Sequence, residues 1–285
     1  MIPPPRKLSL LALTAVLVLT LAPAPSAAQD DGLLPHHHAW ARFRAGAWKR
    51  VRATTESFDA AGNVVSTSVT DTTTTLVSSA DDQIMLRVET TVEVAGKRFD
   101  ARTVELKQHL CGAVPEQRLE VKPAGMATLT IDGDKYVCKV VETTTRNPTR
   151  MTVTTSKTYF TDRVVPNVLR TESVTTGADD KPVSQTTISA QSLDMPHRVL
   201  EEVKPTTMFK AVYVAGSHRT TSWAASAADV PGEVIWKVSK ELDAQQRLVR
   251  RTTLELVDYG IEEPTVRAGG RLRRRAARRS RRNER

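Results

Sequence analysis

The chain has 285 residues, of which 40% are hydrophobic and 5% aromatic, and its formal net charge is +9. This charge is concentrated: residues 267–285 contain ten Arg and one Glu, and Arg6 and Lys7 add two positive charges near the start. Residues 29–266 therefore carry about −2, which excludes a generally basic body. No stretch after residue 28 is long and apolar enough to predict a membrane-spanning helix.

The N-terminus has the pattern of a cleavable export signal. Two positive charges are followed by an uncharged apolar run, Leu8–Leu21, and then by small residues that end at Ala28. This order is typical of a secretory signal peptide. A membrane anchor is the alternative, but two prolines interrupt the run before the roughly 20 residues that a spanning helix needs. We predict that residues 1–28 are removed and that the protein is exported to the periplasm or the extracellular space.

Residues 29–39 are predicted to form a linker that precedes the first strand. The three adjacent histidines at 36–38 would bind a metal only in a folded frame, because consecutive side chains do not converge. We expect a solvated linker near a mobile terminus, with a metal site as the alternative. The other histidines, His109, His197 and His218, are single and far apart in the sequence. We therefore predict no metal and no cofactor.

Residues 40–266 are predicted to form an antiparallel β domain. Alternation of apolar and polar residues, typical of half-buried strands, is clearest over 84–94, stops at Ala95-Gly96 and resumes over 99–106. Asp132-Gly133 separates two further alternating runs and indicates a hairpin, because both residue types tolerate positive φ. The pattern favours a sheet with one packed face and one solvated face.

Three hairpins share five-residue connections of similar chemistry, at 59–63, 177–181 and 243–247. Helical signals are scarce. Residues 197–204 are bracketed by prolines and contain valines that favour a strand, and residues 222–230 have the small side chains of a loop. We therefore predict an all-β fold: an antiparallel meander of about eight to twelve strands with few helices.

Threonine runs, such as residues 72–75 and 152–155, recur through this domain. A side chain branched at Cβ suits a pleated strand, and the alternating context argues against a glycosylated stalk. We expect these threonines to face solvent. The predicted core consists of Ile84, Leu86, Val88, Val92, Leu129, Ile131, Tyr136, Val140, Val153, Tyr159, Leu169, Val174, Ile235, Leu248, Leu254 and Leu256.

Residues 159–170, with the sequence YFTDRVVPNVLR, resemble segments of uncharacterised exported bacterial proteins that are built as strongly curved antiparallel sheets. The order of an export signal, a long β meander and few helices also resembles the open half-barrel of periplasmic lipoprotein carriers. The resemblance implies a curved sheet, as a half-barrel or open barrel, and the binding of a lipid or another amphiphile. The helices that plug the half-barrel of the carriers have no counterpart in the sequence pattern.

Cys111 and Cys138 are the two cysteines of the chain. An even count in an oxidising compartment favours a disulfide between them, which would stabilise the fold by roughly 3.5 kcal/mol on the chain-entropy model. Two alternatives stay open. Both thiols are unpaired, or Cys111 is a reactive thiol beside His109, although no orienting carboxylate is visible for such a nucleophile.

The sequence contains none of the common catalytic motifs, such as GxSxG, HExxH or a phosphate-binding glycine loop. Its paired carboxylates, for example Asp81-Asp82 and Asp179-Asp180, are neighbours that point to opposite faces of a strand or cap turns. We therefore predict that the protein is not an enzyme. Six aromatic residues are expected to cover the core or a sheet edge, or to line a ligand mouth: Trp40, Phe43, Trp48, Phe58, Trp223 and Trp236.

Two functions compete for the body, a carrier of an amphiphilic molecule and a structural or assembly protein of the cell envelope. The tail at 267–285 is expected to be disordered, because its like charges repel. Arginine binds phosphate through two hydrogen bonds, so we predict that the tail docks on an anionic membrane surface or an acidic polysaccharide. We predict no intracellular nucleic acid as a partner. A solubilising end and a segment without a role are the alternatives. The predicted docking residues are Arg271, Arg273, Arg274, Arg275, Arg278, Arg279, Arg281 and Arg282.

Overall fold

A computed structural model describes residues 37–80, 83–110 and 117–261 of the chain. These residues form thirteen β-strands and contain no α-helix. The predicted signal peptide, Cys111 and the Arg-rich tail lie outside the described residues. No helix among the described residues is long and apolar enough to cross a membrane.

The strands follow one another with short connections, apart from the longer links before β5, β8 and β12. Their bounds are β1 Trp48–Phe58, β2 Val64–Ala80, β3 Gln83–Val94, β4 Lys97–His109, β5 Arg118–Ile131, β6 Asp134–Asn147, β7 Thr152–Phe160, β8 Val168–Thr176, β9 Pro182–Val199, β10 Glu202–Ala215, β11 His218–Ser226, β12 Val234–Leu242 and β13 Leu248–Gly260.

All thirteen strands belong to one antiparallel sheet with the order β4-β3-β2-β1-β13-β12-β11-β10-β9-β8-β7-β6-β5. Consecutive strands pair as hairpins within two meanders, β1 to β4 and β5 to β13, and the pairing of β1 with β13 joins the two. The described strands leave β4 and β5 as the two edges, so the sheet does not close. The prediction of an all-β antiparallel meander is confirmed, with one strand more than the upper bound of twelve.

The connection from β4 to β5 requires the sheet to curve. A flat sheet of thirteen strands would place its two edge strands about 58 Å apart at the usual strand spacing. The segment 110–117, which joins these edges, reaches no more than about 32 Å even when fully extended. The right-handed twist of roughly 20–25° between neighbouring strands supplies the curvature, and β5 in fact contacts β9. The implied half-barrel or open barrel is therefore confirmed.

The three similar connections form the same turn. In each one, the first residue donates its N–H to the carbonyl oxygen of the fifth at 3.0 Å: Asp59 to Asn63, Gly177 to Lys181 and Asp243 to Arg247. The fourth residue of each has positive φ, between 58° and 86°. Asp59 and Asp243 also accept backbone N–H bonds within their own turns at 2.9 Å. Local side-chain caps therefore explain the recurring chemistry.

Three predictions about these strands are wrong. Residues 222–226 belong to β11 and are not a loop, because their small side chains pack where the neighbouring residues 227–233 cover the sheet. Val174 is 38% exposed and lies outside the core. Many threonines are buried and do not face solvent, because both faces of the strands carry β-branched residues. The buried threonines are Thr70, Thr72, Thr75, Thr143, Thr158, Thr161, Thr206 and Thr207.

The residues before β1 complete the core. Residues 37–47, here called the N-terminal segment, place Trp40 in a cluster with Leu76 and Leu86 of β2 and β3. A second cluster joins β5 and β6 to β8, β9 and β10, and a third packs residues 227–230 against the strands from β9 to β13. The predicted core residues Ile131, Leu169 and Ile235 lie at the centre of these clusters.

Candidate ligand-binding face

The N-terminal segment closes one end of the curved sheet through contacts with distant parts of the chain. Arg42 Nη2 donates to Glu233 Oε1 at 2.6 Å, and both side chains are largely buried. His37 Nε2 lies 2.6 Å from Asp162 Oδ1, in the connection between β7 and β8. Trp40 packs so closely on Gly232 that a Cβ there would come within 2.7 Å of the indole ring. The segment therefore connects the turn between β7 and β8 with the turn between β11 and β12.

Glu233 is the centre of a small buried charge network. Its second oxygen accepts a hydrogen bond from Ser226 Oγ at 3.2 Å. Lys49 lies nearby, and its ammonium group donates a hydrogen bond to the carbonyl oxygen of Gly232 at 2.9 Å. Burial raises the pKa of Glu233, and Arg42 opposes the shift. Burial lowers the pKa of Lys49 to about 8, and Glu233 opposes that shift. The two cations match the buried carboxylate and its neighbouring carbonyls, so this cluster serves to hold the segment in place.

The prediction of a solvated linker is wrong for His37 and His38, because both side chains are buried, at 5% and 2% exposed. His38 Nδ1 accepts the backbone N–H of Trp40 at 3.0 Å and of Ala41 at 3.2 Å, so its ring caps the turn that follows. Burial, with a smaller effect from Arg42, lowers the pKa of His38 to about 4. The two adjacent rings thus have separate structural partners. Among the described residues, no group of three His, Cys, Asp or Glu side chains is arranged to hold a metal.

The strand register defines the face of the sheet that the segment covers. Residues directly opposite each other on neighbouring strands share a face, as do alternate residues of one strand. Seven strands that are neighbours in the sheet, from β2 through β1 and β13 to β9, each contribute one residue to a row. This row, here called the lysine row, lies on the same face as Leu76 of the Trp40 cluster. We call this face the inner face. The lysine row is Thr70, Ala53, Leu254, Lys237, Ala224, Phe209 and Ala190.

A second row lies on the inner face two residues further along each strand, a distance of about 7 Å. Five neighbouring strands contribute hydroxyl groups to this hydroxyl row, which consists of Ser68, Thr55, Thr252, Ser239 and Ser222. Thr55 and Thr252 are hydrogen-bonded at 3.1 Å, and Ser222 and Ser239 at 2.7 Å. In each pair one hydroxyl donates and the other accepts, so the proton of the accepting hydroxyl is not used within the pair.

The inner face is apolar near the N-terminal segment and polar further from it. In the lysine row, Phe209, Ala53 and Ala190 are 3%, 8% and 6% exposed. Leu254 and Lys237, together with Thr55, Thr252 and Ser239 of the hydroxyl row, are only half-buried. The accessible part of this face therefore consists of one aliphatic side chain, one ammonium group and the hydroxyls beside them.

The predicted site residues have different outcomes. Cys138 is fully buried, with its thiol 3.6 Å from the carbonyl oxygen of Tyr136, and burial raises the pKa of this thiol. Its predicted partner Cys111 lies outside the described residues, so the disulfide stays a prediction. The same holds for the docking arginines of the tail. Among the aromatic residues, Trp40 is buried, whereas Trp223 is 38% exposed with Lys210 5.7 Å above its ring.

Sequence reasoning missed Lys237 and the Arg42–Glu233 pair. A signal for Lys237 was present, because Ile235 was assigned to the core and alternation places Lys237 on the same side of β12. The pair had no such signal, since its two residues are separated by 191 positions.

No protein-family model and no curated protein matches this chain. Among solved structures, it is similar to a Bacteroides fragilis protein described as exported with a YmcC-like fold, at 8% identity and a TM-score of 0.31, covering 76% of this chain and 97% of that one. It is also similar to a protein from Parabacteroides distasonis described as a lipoprotein, at 6% identity and a TM-score of 0.30, covering 78% and 98%.

A third similar structure is a porin-like protein from Bacteroides vulgatus, at 11% identity and a TM-score of 0.23, covering 75% of this chain and 97% of that one. The predicted resemblance to exported bacterial β-rich proteins thus has counterparts among solved structures. Identities and TM-scores this low carry nothing about activity or ligand.

Proposed function

We propose that this protein is an exported, non-catalytic binding protein that holds an amphiphilic molecule against the inner face of its curved sheet. The proposal is supported by one observation above all. On the inner face, the half-buried Leu254 and Lys237 of the lysine row lie beside the hydroxyl row, which continues across five neighbouring strands. Apolar walls with a few placed polar groups are characteristic of small-molecule sites.

The N-terminal segment supports the same proposal from one end of the sheet. It covers the inner face where β2 ends and β3 begins, and it is fixed there by the Arg42–Glu233 pair and by Trp40. The carriers that the sequence resembles use helices to plug the half-barrel, and here a segment without helix occupies one end. A ligand chain would then lie on the inner face beyond this segment, against the half-buried Leu254.

Titration with fluorescent fatty acids of different chain lengths tests this function on the full chain. We expect saturable binding that weakens in Leu254→Gln, because the ligand's alkyl chain would remove water from an amide group in the lysine row without giving it a hydrogen-bond partner. The control is Val203→Gln, at a residue that is 71% exposed, and it should bind like the original protein. No saturable binding across several amphiphiles, or equal binding by both variants, would overturn the proposal.

The second candidate is a structural or assembly protein of the envelope, favoured by the edge strand β4. This strand has no neighbour on one side among the described strands, and it exposes Phe99 at 47%, Val104 at 37% and Leu106 at 43%. An edge of this kind is a template for pairing with another chain. Absence of ligand binding together with concentration-dependent assembly would favour this candidate.

The Arg-rich tail belongs to the proposal as a second, separate part. Its nine arginines from Arg271 onward and its single appreciable apolar residue, Leu272, favour superficial contact with an anionic surface over insertion into a bilayer. In an exported protein this surface is a phospholipid, lipopolysaccharide or acidic polysaccharide layer. The tail would hold the binding domain close to the membrane from which its ligand comes.

A further inference from the structure

Lys237 is the one charged residue of the lysine row. Its cross-strand neighbours are Ala224 on β11 and Leu254 on β13, and the next residues outward are Phe209 and Ala53. The side chain is half-buried, and it has no hydrogen bond or ion pair within the described part of the chain. An ammonium group among aliphatic side chains gives up hydration without a protein partner.

The carboxylates nearest to Lys237 on its own face already have cationic partners. Glu241, four residues along β12, lies 3.2 Å from Arg250 on β13. Glu233, at the opposite end of β12, binds Arg42 and lies beside Lys49. On the strands packed against β12, the positions that face Lys237 carry Ala224 and Ser222 on one side and Leu254 and Thr252 on the other. None of these side chains is acidic.

Hydroxyl groups lie next to Lys237 on the side away from the N-terminal segment. Ser239 follows two residues later on the same face, about 7 Å along the strand, with Ser222 and Thr252 opposite it. A lysine and a set of hydroxyls suit a carboxylate or phosphate group, which accepts charge-assisted hydrogen bonds from an ammonium. The half-buried apolar side chain of Leu254 lies opposite Lys237 on β13 and suits an alkyl chain.

We propose that Lys237 binds the anionic headgroup, a carboxylate or a phosphate, of a single-chain amphiphile whose alkyl chain packs on the inner face beside it, against Leu254. This inference rests on the proposed binding function and adds the ligand's charge and orientation. Burial lowers the pKa of Lys237 to about 8, so an anion that contacts the ammonium would raise this pKa again. The hydroxyl row supplies the remaining hydrogen bonds of the headgroup.

Calorimetric titration of the full chain with four matched probes tests the inference. The probes are dodecanoate, dodecyl phosphate, the neutral dodecyl maltoside and inorganic phosphate. We expect Lys237→Met to weaken binding of the two anionic amphiphiles roughly 10- to 100-fold, the range of a lost charge-assisted hydrogen bond, and to leave the neutral amphiphile unchanged. Lys237→Arg, which keeps the charge, should retain most of the anion preference.

The control variant is Lys240→Met, which removes an exposed lysine from the opposite face of the same strand. Both variants keep the Arg-rich tail, so any contribution of the tail to anion binding is the same. Equal anion binding by Lys237→Met and the original protein, or equal loss in both lysine variants, overturns the inference. Binding of inorganic phosphate as tight as that of dodecyl phosphate overturns the assignment to an amphiphile.

The same titration separates this inference from the function on which it rests. If the original protein binds dodecyl maltoside and dodecanoate equally well, and Lys237→Met does the same, the binding function stands and the headgroup assignment fails. If the original protein binds none of the amphiphiles, the proposed function itself fails. Melting temperatures of the variants show whether a loss of binding reflects a loss of folding.

Discussion

At the scale of single residues, Lys237, the proposed headgroup ligand, also affects the stability of the fold. An ammonium that loses hydration on folding releases its proton more easily in the folded chain, and burial lowers its pKa from 10.5 to about 8. The unfolded chain therefore binds more protons than the folded chain between these two values. Since stability rises with pH wherever the unfolded state binds more protons, this residue destabilises the fold most below pH 8.

Lys237→Met should therefore be more stable than the original protein at pH 7, by up to about 3 kcal/mol. The difference should shrink as the pH rises from about 8 to 10.5, because the lysine becomes neutral in both states. Urea unfolding of both proteins at several pH values measures it. The comparison cancels the similar contribution of Lys49, whose pKa is also about 8. A difference that does not vary with pH, or the same trend in Lys240→Met, would contradict this account.

At the scale of elements, the N-terminal segment and the turn at 227–233 fit each other around one close contact. Gly232 has φ of +68°, and a Cβ added there would lie 2.7 Å from the Trp40 indole ring. Gly216 has φ of +56° but no atom within 4 Å of its added Cβ. The two glycines therefore share the backbone requirement, and only Gly232 has the packing requirement.

Replacing each glycine with alanine separates these two requirements. Both variants carry the cost of a left-handed backbone, about 1–2 kcal/mol. Gly232→Ala should lower the free energy of unfolding by a further amount of about 1–3 kcal/mol, because Trp40 or the turn has to move. Equal stabilities in urea unfolding would show that the segment does not pack on this turn in solution. The contact would be confirmed if Gly232→Ala loses more stability than Gly216→Ala, and if this extra loss is smaller when Gly232→Ala is made together with Trp40→Ala.

The elements also show what the sequence was able to predict. The hairpins at 59–63, 177–181 and 243–247 depend on caps and positive φ within five residues, and all three were predicted correctly. The docking of the N-terminal segment was missed because its partners, Asp162 and Glu233, lie 125 and 191 positions away in the chain. Lys237 was missed for a related reason. Alternation places it on the core side, but only the register reveals that its neighbours are apolar.

Threonine marks a further limit of sequence patterns. Because Thr favours strands on either face, a run such as Thr72–Thr75 predicts the strand but not which side is wet. In the folded chain Thr72 and Thr75 are buried, and several inner-face hydroxyls bond to one another across strands, as in Ser156 with Ser173 at 2.9 Å. The polar character of the inner face is therefore a property of the register.

At the scale of the whole molecule, the excess positive charge and the proposed binding surface belong to different parts of the chain. Residues 29–266 carry about −2, and the 19 residues from 267 to 285 carry +9. A nearly neutral domain has little long-range attraction to an anionic membrane, whereas each arginine near such a surface contributes about 1 kcal/mol within a Debye length. If the protein receives an amphiphile from a membrane, the tail supplies the approach and the sheet supplies the site.

This division predicts that the tail alone decides membrane association. The full chain should sediment with vesicles that contain anionic phospholipid at low salt and lose this association as salt is raised, since screening shortens the reach of each charge. A chain ending at Val266 should remain in the supernatant at both salt concentrations. It should nevertheless bind dodecanoate as the full chain does, because Lys237 and the inner face are intact. Equal sedimentation of the two chains, or association of the full chain that persists at high salt, would refute electrostatic docking by the tail.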